Sequence, residues 1–463
     1  MDLVLYQSES PVKELLWTVV DQRPGKRHQS GHGIIMSAFI MVSSWRPLGK
    51  PMRILFFAEQ FWPETNAPAI HVHERAKIWV RMGHSVTVVT SAPNFPEGRL
   101  FAGYQNRWRQ VEWKDGIKVL RVKTFISPNQ GLLRRFLDHA SYCLSALLFS
   151  LPEASADVVL STSPQLLVPL AGVLHAWLRR IPHVFELRDL WPASITAVGA
   201  VQPGALISLL ERLELWLYRR SQRVLVFTDS FRRDLERRKI DPMGIEVTPN
   251  GTDLEMFQPG LRNPDILQEL GLSNRFIVGY IGTLGMAHGL GSVLAAAKSL
   301  ASDGVTFLLV GPGAAKEDLE RQAHAMGLDN VVFLPRQPRE AMPALWGLCD
   351  VALVQVKETE VFRTVIPSKL YEAIAMGLPI CFAGPDGEAS ELVRRHGVGL
   401  VISSGDATEL ARAVRAFQND KALLAASRAA SIQARAFYSR TAQAERTLDA
   451  LRRVVDSWSK KRP

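Results

Sequence analysis

The chain has 463 residues, 47% hydrophobic and 22% charged, with a formal net charge of +10 and cysteines only at 143, 349 and 381. That length exceeds one ordinary hydrophobic core and predicts two domains of roughly 200 residues each. The composition excludes a disordered or fibrous chain, and three scattered cysteines exclude a disulfide framework or a cysteine-based zinc site, which fits a reducing cytoplasm.

Residues 1–51 mix Pro, Gly, Ser and charge without a steady period, and read as a poorly ordered N-terminal extension with Met52 the working start. The rival is a signal peptide with its apolar region at 33–42, which sits late and has no small-residue cleavage pattern. From Met52 onward, short apolar runs alternate with amphipathic segments, as a parallel sheet covered by helices requires. Strands are expected at 53–58, 85–90, 118–122, 158–161, 183–186 and 223–228, with a helix at 70–82 closed by Gly83 and His84. A stretch of turn formers at 247–264 reads as a linker. A second series follows at 277–281, 306–310, 331–334, 351–354 and 379–382, and a surface helix at 434–455. The expected division is therefore 1–51 extension, 52–264 N-terminal acceptor domain, 265–433 C-terminal donor domain, and 434–463 a C-terminal helix packing back on the first domain.

Parallel sheets bind ligands beyond the carboxyl ends of their strands, so the loops there are the places to look. After the first strand, Glu64, Asn66 and Ala67 lead into a helix whose N-terminus could hold phosphate or the acceptor; a plain strand-to-helix turn would look the same. His71 and His73, two apart, do not share a helix face, which argues against a metal pair. Arg188 and Asp189, followed by Trp191 and Pro192, set a cation and a carboxylate beside an aromatic at a strand end; they suit either a sugar or phosphate contact or a structural pairing. In the second half, the loops holding Gly282, Thr283, Gly285 and His288, and Gly311 to Gly313, let backbone approach a ligand closely.

The most informative stretch starts at Pro367-Ser368-Lys369 and runs through Glu372 to Pro379. Ser368 can cap a helix there, and Lys369 in its first turn can reach a phosphate. The Glu372 carboxylate can accept charge-assisted hydrogen bonds from two ribose hydroxyls, each worth about 1.5 to 3 kcal/mol. A capping-box glutamate of a packing helix is the alternative.

With these residues in view, the chain resembles the retaining GT-B glycosyltransferases of family 4 over nearly all of 52–463. The likeness rests on Met52-Arg-Ile-Leu with 83–90, on Thr248-Pro-Asn-Gly-Thr-Asp253 through Pro259, and on 369–379. Residues 367–372 and 188–192 look like the bacterial branch adding fucose or N-acetylfucosamine-type sugars to O-antigen, capsule or colanic-acid units. The resemblance implies an α/β GT-B fold, two Rossmann-like doubly wound domains facing across a cleft. It implies metal-independent transfer with no cofactor, a nucleotide diphosphate sugar as donor with UDP favoured over GDP, and a lipid-linked glycan acceptor. It places Gly282, Thr283, Gly285, His288, Gly311, Pro367, Ser368, Lys369 and Glu372 around the donor.

The chain departs from the family at Thr364, where the first glutamate of a Glu-x7-Glu motif would stand. It also departs at Thr283 and His288, which replace a usual Arg and Lys, and at Arg188, where many members carry His. Lys369 and Arg188 are then the cations expected to meet the diphosphate, with Asp189 orienting acceptor or sugar.

The charge of +10 suits anionic lipid or a phosphorylated ligand; no nucleic-acid motif accompanies it. The apolar stretch 132–149, with Arg134 and Arg135 at one end, is either an interfacial helix at the inner face of the plasma membrane or a core helix. Rival functions are a non-hydrolysing nucleotide-sugar epimerase and a non-catalytic nucleotide- or glycan-binding module. A dehydrogenase is disfavoured because no Gly-x-Gly-x-x-Gly follows the first strand.

Overall fold

A computed structural model describes residues 50–127, 132–153, 155–190, 204–260 and 262–460. The expected extension, apart from residues 50 and 51, lies outside them, as do Trp191 and Pro192. The chain forms two compact units: one holds the described residues up to Asn250 together with Arg440 onward, and the other holds Gly251 to Ser439. The break at Asn250 comes earlier than the expected boundary at 264 because Val247 closes a strand and the backbone N–H of Thr248 still bonds Val226, 2.8 Å away.

The first unit contains β1 (Arg53–Phe57), β2 (Ser85–Ser91), β3 (Arg109–Lys114), β4 (Ile117–Val122), β5 (Val158–Thr162), β6 (His183–Leu187), β7 (Arg223–Val226) and β8 (Ile245–Val247). They form one eight-stranded sheet in the order β3-β4-β2-β1-β5-β6-β7-β8, parallel except for the β3–β4 hairpin. Its centre is built by alternation, since neighbouring residues of a strand face opposite sides. Ile54 and Phe56 enter a core with Trp79, Leu448 and Leu451, while Leu55 and Phe57 enter another with Tyr142, Val168 and Ala171. A sheet buried on both faces gives the near-continuous apolar runs seen in the sequence.

The helix expected at 70–82 spans Ala67–Arg81, starting earlier because the Asn66 side chain caps it, accepting from the Ala69 N–H at 3.3 Å. The C-terminal segment is not one helix from 434. A helix ends at Ala434, a tight turn covers Arg435–Tyr438, and a new helix runs Arg440–Lys460. That last helix lies on Ala67–Arg81: Trp79 Nε1 donates to the Ala444 carbonyl at 2.9 Å, and Arg440 pairs with Glu74 at 3.0 Å.

The second unit contains β9 (Phe276–Ile281), β10 (Val305–Val310), β11 (Val331–Leu334), β12 (Val351–Gln355), β13 (Ile380–Ala383) and β14 (Gly399–Ile402). They form a six-stranded sheet in the order β11-β10-β9-β12-β13-β14, parallel throughout. Ile277 and Ile281 face one core while Val278 and Tyr280 face the other. Both units are thus Rossmann-like, doubly wound α/β sheets. Among the described residues, no helix is long and apolar enough to cross a membrane.

Candidate active site

In the second unit, the site is built at the carboxyl ends of β9 and β10, where two glycine loops lie against each other. The N–H of Gly282 bonds Val310 at 2.9 Å, that of Leu284 bonds Pro312 at 2.7 Å, and that of Ala315 bonds Leu284 at 3.0 Å. Gly311 has φ 140°, and a Cβ there would run into the Gly282 carbonyl. Only glycine therefore permits this zipped backbone surface. Thr283 is exposed, and its carbonyl accepts from the Tyr280 hydroxyl at 2.9 Å.

The helix Ser368–Ala375 starts beside the first of these loops. Ser368 is not its cap: Pro367 holds the N-cap position with no side-chain hydrogen bond, and Ser368 is the first helical residue, exposed. The fixed φ of proline pre-sets the helix entry instead. Free N–H groups and the positive end of the helix dipole remain there.

Lys369 extends from this first turn over the Tyr280 ring, its Nζ 3.5 Å from the ring centroid. A Cβ on Gly282 would stand 3.1 Å from Lys369 Nζ, so the glycine makes room for the ammonium. The Nζ is buried and has no hydrogen-bond partner among the described residues. Burial lowers its pKa to about 7, against the opposing pull of Glu372. A buried cation lacking a partner, set beside free N–H groups, is a place waiting for an anion.

Glu372 makes no capping box. Its Oε2 accepts from Trp346 Nε1 at 3.3 Å, which fixes the carboxylate on the face of the helix below Lys369. His288 is a poor replacement for a cation, because burial and the Lys369 charge push its pKa down to about 4. Its Nδ1 bonds the Gln355 carbonyl at 3.3 Å, which makes Nδ1 the donor and leaves Nε2 an acceptor in the neutral ring. Thr364, at the first position of the expected Glu-x7-Glu pair, turns its hydroxyl back to the Val361 carbonyl at 3.0 Å.

In the first unit, Arg188 is not a loose cation. Its side chain is buried, with Nη1 3.3 Å from Glu186 and Nη2 2.6 Å from His71 Nδ1. Glu186 also pairs with Arg75. Burial disfavours charge on Glu186, yet Arg75 and Arg188 beside it hold its carboxyl below the usual range. Two guanidinium groups against one carboxylate leave this buried cluster with surplus positive charge. Asp189 is exposed, and the residues a helix cap there would serve, from Trp191 on, lie outside the described ones. His73 bonds Asp115 at 2.8 Å, so the two histidines go to different partners.

Glu64 is 3% exposed, and its Oε1 accepts the backbone N–H groups of Asn94 and Phe95 at 2.8 and 2.9 Å. Asn66 is committed to capping and to Gln60, and Ala67 opens the helix. Nothing in the sequence reading pointed to the pair of Glu59 and His139, 2.8 Å apart. Glu59 is the first polar residue past β1, and Asp138 and His139 are polar interruptions of an otherwise apolar helix; those were the available signals.

Residues 66–251 match the family of glycosyl transferase 4-like domains, and residues 263–436 match glycosyl transferases group 1. Together with two parallel-sheet units, these matches make the chain a GT-B glycosyltransferase. It is similar to a protein of Escherichia coli K12 assigned to colanic acid biosynthesis as a glycosyl transferase, 25% identical over 338 residues, covering 70% of this chain and 82% of that one. It is also similar to the Escherichia coli UDP-Gal:alpha-D-GlcNAc-diphosphoundecaprenol alpha-1,3-galactosyltransferase, 28% identical over 191 residues, 40% of this chain and 48% of that one. Among solved structures, the Anabaena protein HepE in complex with UDP has a TM-score of 0.63 at 18% identity, covering 86% of this chain and 99% of that one.

Proposed function

We propose that the chain transfers a sugar, with retention of anomeric configuration, from a nucleoside diphosphate donor held by the second unit to a lipid-linked glycan. The observation that carries the reading is the unpartnered, buried Lys369 ammonium at a helix N-terminus beside two zipped glycine loops. The diphosphate belongs against Lys369, Ser368 and the loops of Gly282, Gly285 and Gly311, with the ribose hydroxyls on Glu372. The neutral His288 then accepts from a donor-sugar hydroxyl rather than neutralising phosphate.

As the bond from C1 to the diphosphate breaks, the acceptor oxygen bonds C1 from the same face and passes its proton to the departing phosphate oxygen. Lys369 and the helix N–H groups stabilise the charge that develops there, so neither a metal nor a cofactor is needed. A glycosidase-type pair of carboxylates has no part in this path. The named substrates of the UDP-Gal relative support UDP and a polyprenol-linked acceptor, the relative assigned to colanic acid biosynthesis supports a role in polysaccharide synthesis, and a fucose-type sugar is proposed on the likeness of residues 188–192 and 367–372 alone.

Attachment to the inner membrane face is part of the proposal. The helix Leu132–Ser150 buries Tyr142, Cys143 and Ala146 but exposes Phe136, Leu137, Leu144 and Leu148, with Arg134 and Arg135 near its start. Such an apolar and cationic face suits an anionic lipid interface. The test is transfer from a panel of UDP-, GDP- and TDP-sugars to a polyprenyl diphosphate-linked glycan, with the product anomer read by NMR. Inversion, or activity abolished by EDTA and restored by magnesium, overturns the mechanism.

A further inference from the structure

β12 is buried along its whole length, yet it ends in an amide, Gln355, which is 1% exposed. A polar side chain in such a place costs free energy unless its atoms find partners. The nitrogen finds two: Nε2 donates to the Gly289 carbonyl at 2.7 Å and to Ser292 Oγ at 2.9 Å. The oxygen finds none, since Oε1 is buried without a hydrogen-bond partner among the described residues. Turning the amide over would set Oε1 against the Gly289 carbonyl, acceptor against acceptor, so the loop itself fixes which way it points. The fold tolerates an orphaned oxygen here and gains a clamp on Gly289.

The clamped backbone carries His288. Gly289, at φ 62°, closes the tight turn Met286–His288, and the helix Gly291–Ser299 that follows starts without a side-chain cap. Inside the turn, the Lys357 N–H donates to the Ala287 carbonyl at 2.9 Å. The bond from His288 Nδ1 to the Gln355 carbonyl is long, 3.3 Å, and lasts only while the turn stays against the end of β12. The neighbouring rings of Tyr280 and Phe362, centred 6.0 and 6.4 Å away, do not choose between the imidazole tautomers. That choice falls to the Gln355 carbonyl, and therefore to whatever keeps the turn in place.

We propose that Gln355 is a positioning residue for sugar transfer: its side-chain amide clamps Gly289 and Ser292 to the end of β12 and so holds His288 with Nε2 free to accept from a donor-sugar hydroxyl. The proposal rests on the second unit being the donor site, and it adds a residue that acts on the sugar through another side chain. The diphosphate groups assigned to Lys369, Gly282 and Gly311 do not depend on this clamp, so sugar handling and nucleotide affinity should separate.

The experiment uses the full chain with Gln355→Met, which keeps length and volume and removes the donor. It also removes the orphaned oxygen, and the Gly289 carbonyl keeps the Ser292 hydroxyl at 3.3 Å, so the melting curve should match the parent. With whichever UDP-, GDP- or TDP-sugar the parent turns over, kcat should fall by about tenfold, the worth of one hydrogen bond, while calorimetric UDP affinity stays within about twofold. Nitrogen NMR of histidine-labelled chain, with His288 assigned by its loss in His288→Gln, should show one tautomer in the parent and a mixture in Gln355→Met. Should that variant fail to fold, Ser292→Ala decides, with smaller changes in the same direction because one of the clamp's acceptors remains. Parental kcat, or a single unchanged His288 tautomer in the folded variant, overturns the proposal. An equal loss of UDP affinity and turnover overturns it too, since that is what a merely structural role would give. A parent that neither binds UDP nor transfers sugar counts against the donor reading instead, and the tautomer comparison still decides whether Gln355 positions His288.

Discussion

At Lys369, the chain holds an amine out of water with no counter-charge fully in place, and this has two measurable consequences. The folded pKa of about 7 lies below the ordinary 10.5, so between those values the unfolded chain binds a proton that the folded chain has released. Stability must then rise with pH across that window, and the burial cost is fully present below pH 7. Lys369→Met keeps the aliphatic stem and removes the proton site. Denaturant titrations at several pH values should show the variant gaining most over the parent at the acid end and the difference shrinking toward pH 10.5. In transfer assays the same variant should lose kcat by a factor on the order of 100, the scale of one preorganised donor. Near-parental kcat would remove Lys369 from the charge-stabilising role. Glu372→Gln should weaken UDP binding by about tenfold in calorimetry while leaving the melt unchanged, because an amide accepts weaker hydrogen bonds than a carboxylate. Lys369 and Glu372 were legible in sequence since they share one helical turn and its start signal. The cluster of Arg75, Glu186, Arg188 and His71 was not, because Arg188 and His71 are 117 residues apart and only the sheet order brings them together.

Among elements, the central strands and their helices were legible because burial on both faces writes long apolar runs. Three of the four edge strands were not, β11 being the exception. β3 has an alternating, partly exposed pattern, and β8 and β14 are short and only partly buried. The turn between β3 and β4 did carry a signal, Asp115 and Gly116 both at positive φ, the Asp-Gly pair favoured in tight hairpins. The glycine loops of the second unit were legible as close-approach sites, but their mutual contact needed the fold. Gly311→Ala should cost about 1–3 kcal/mol from strain at positive φ and, by displacing the Gly282 carbonyl, also weaken UDP binding. Gly304→Ala is the control: its φ is 71°, but nothing lies within 4 Å of a Cβ there. Calorimetry should therefore find stability reduced in both and UDP affinity reduced in Gly311→Ala alone.

For the whole molecule, the restart of the strand rhythm after residue 264 revealed two halves, and the charge mix and apolar spacing of the last segment marked a surface helix expected on the first domain, but its apolar partners there needed the fold. Ala444, Leu448, Leu451 and Val454 belong to the same apolar cluster as Phe56, Val72 and Trp79. A chain ending at Ser439 should retain the protection of β9–β14 in hydrogen exchange while amides of β1 and the helix Ala67–Arg81 exchange much faster. Equal protection in both units would show the last helix to be dispensable.

That helix also sets a timetable for synthesis. Trp79 finds its carbonyl partner at Ala444, 365 residues further along. During translation the second unit emerges complete while the first, though begun earlier, still has an open apolar face beside Trp79. The ribosome must pass residue 444 before that face is closed. The part of the enzyme made first is therefore the last to be sealed, and for that interval it is the part most in need of a chaperone.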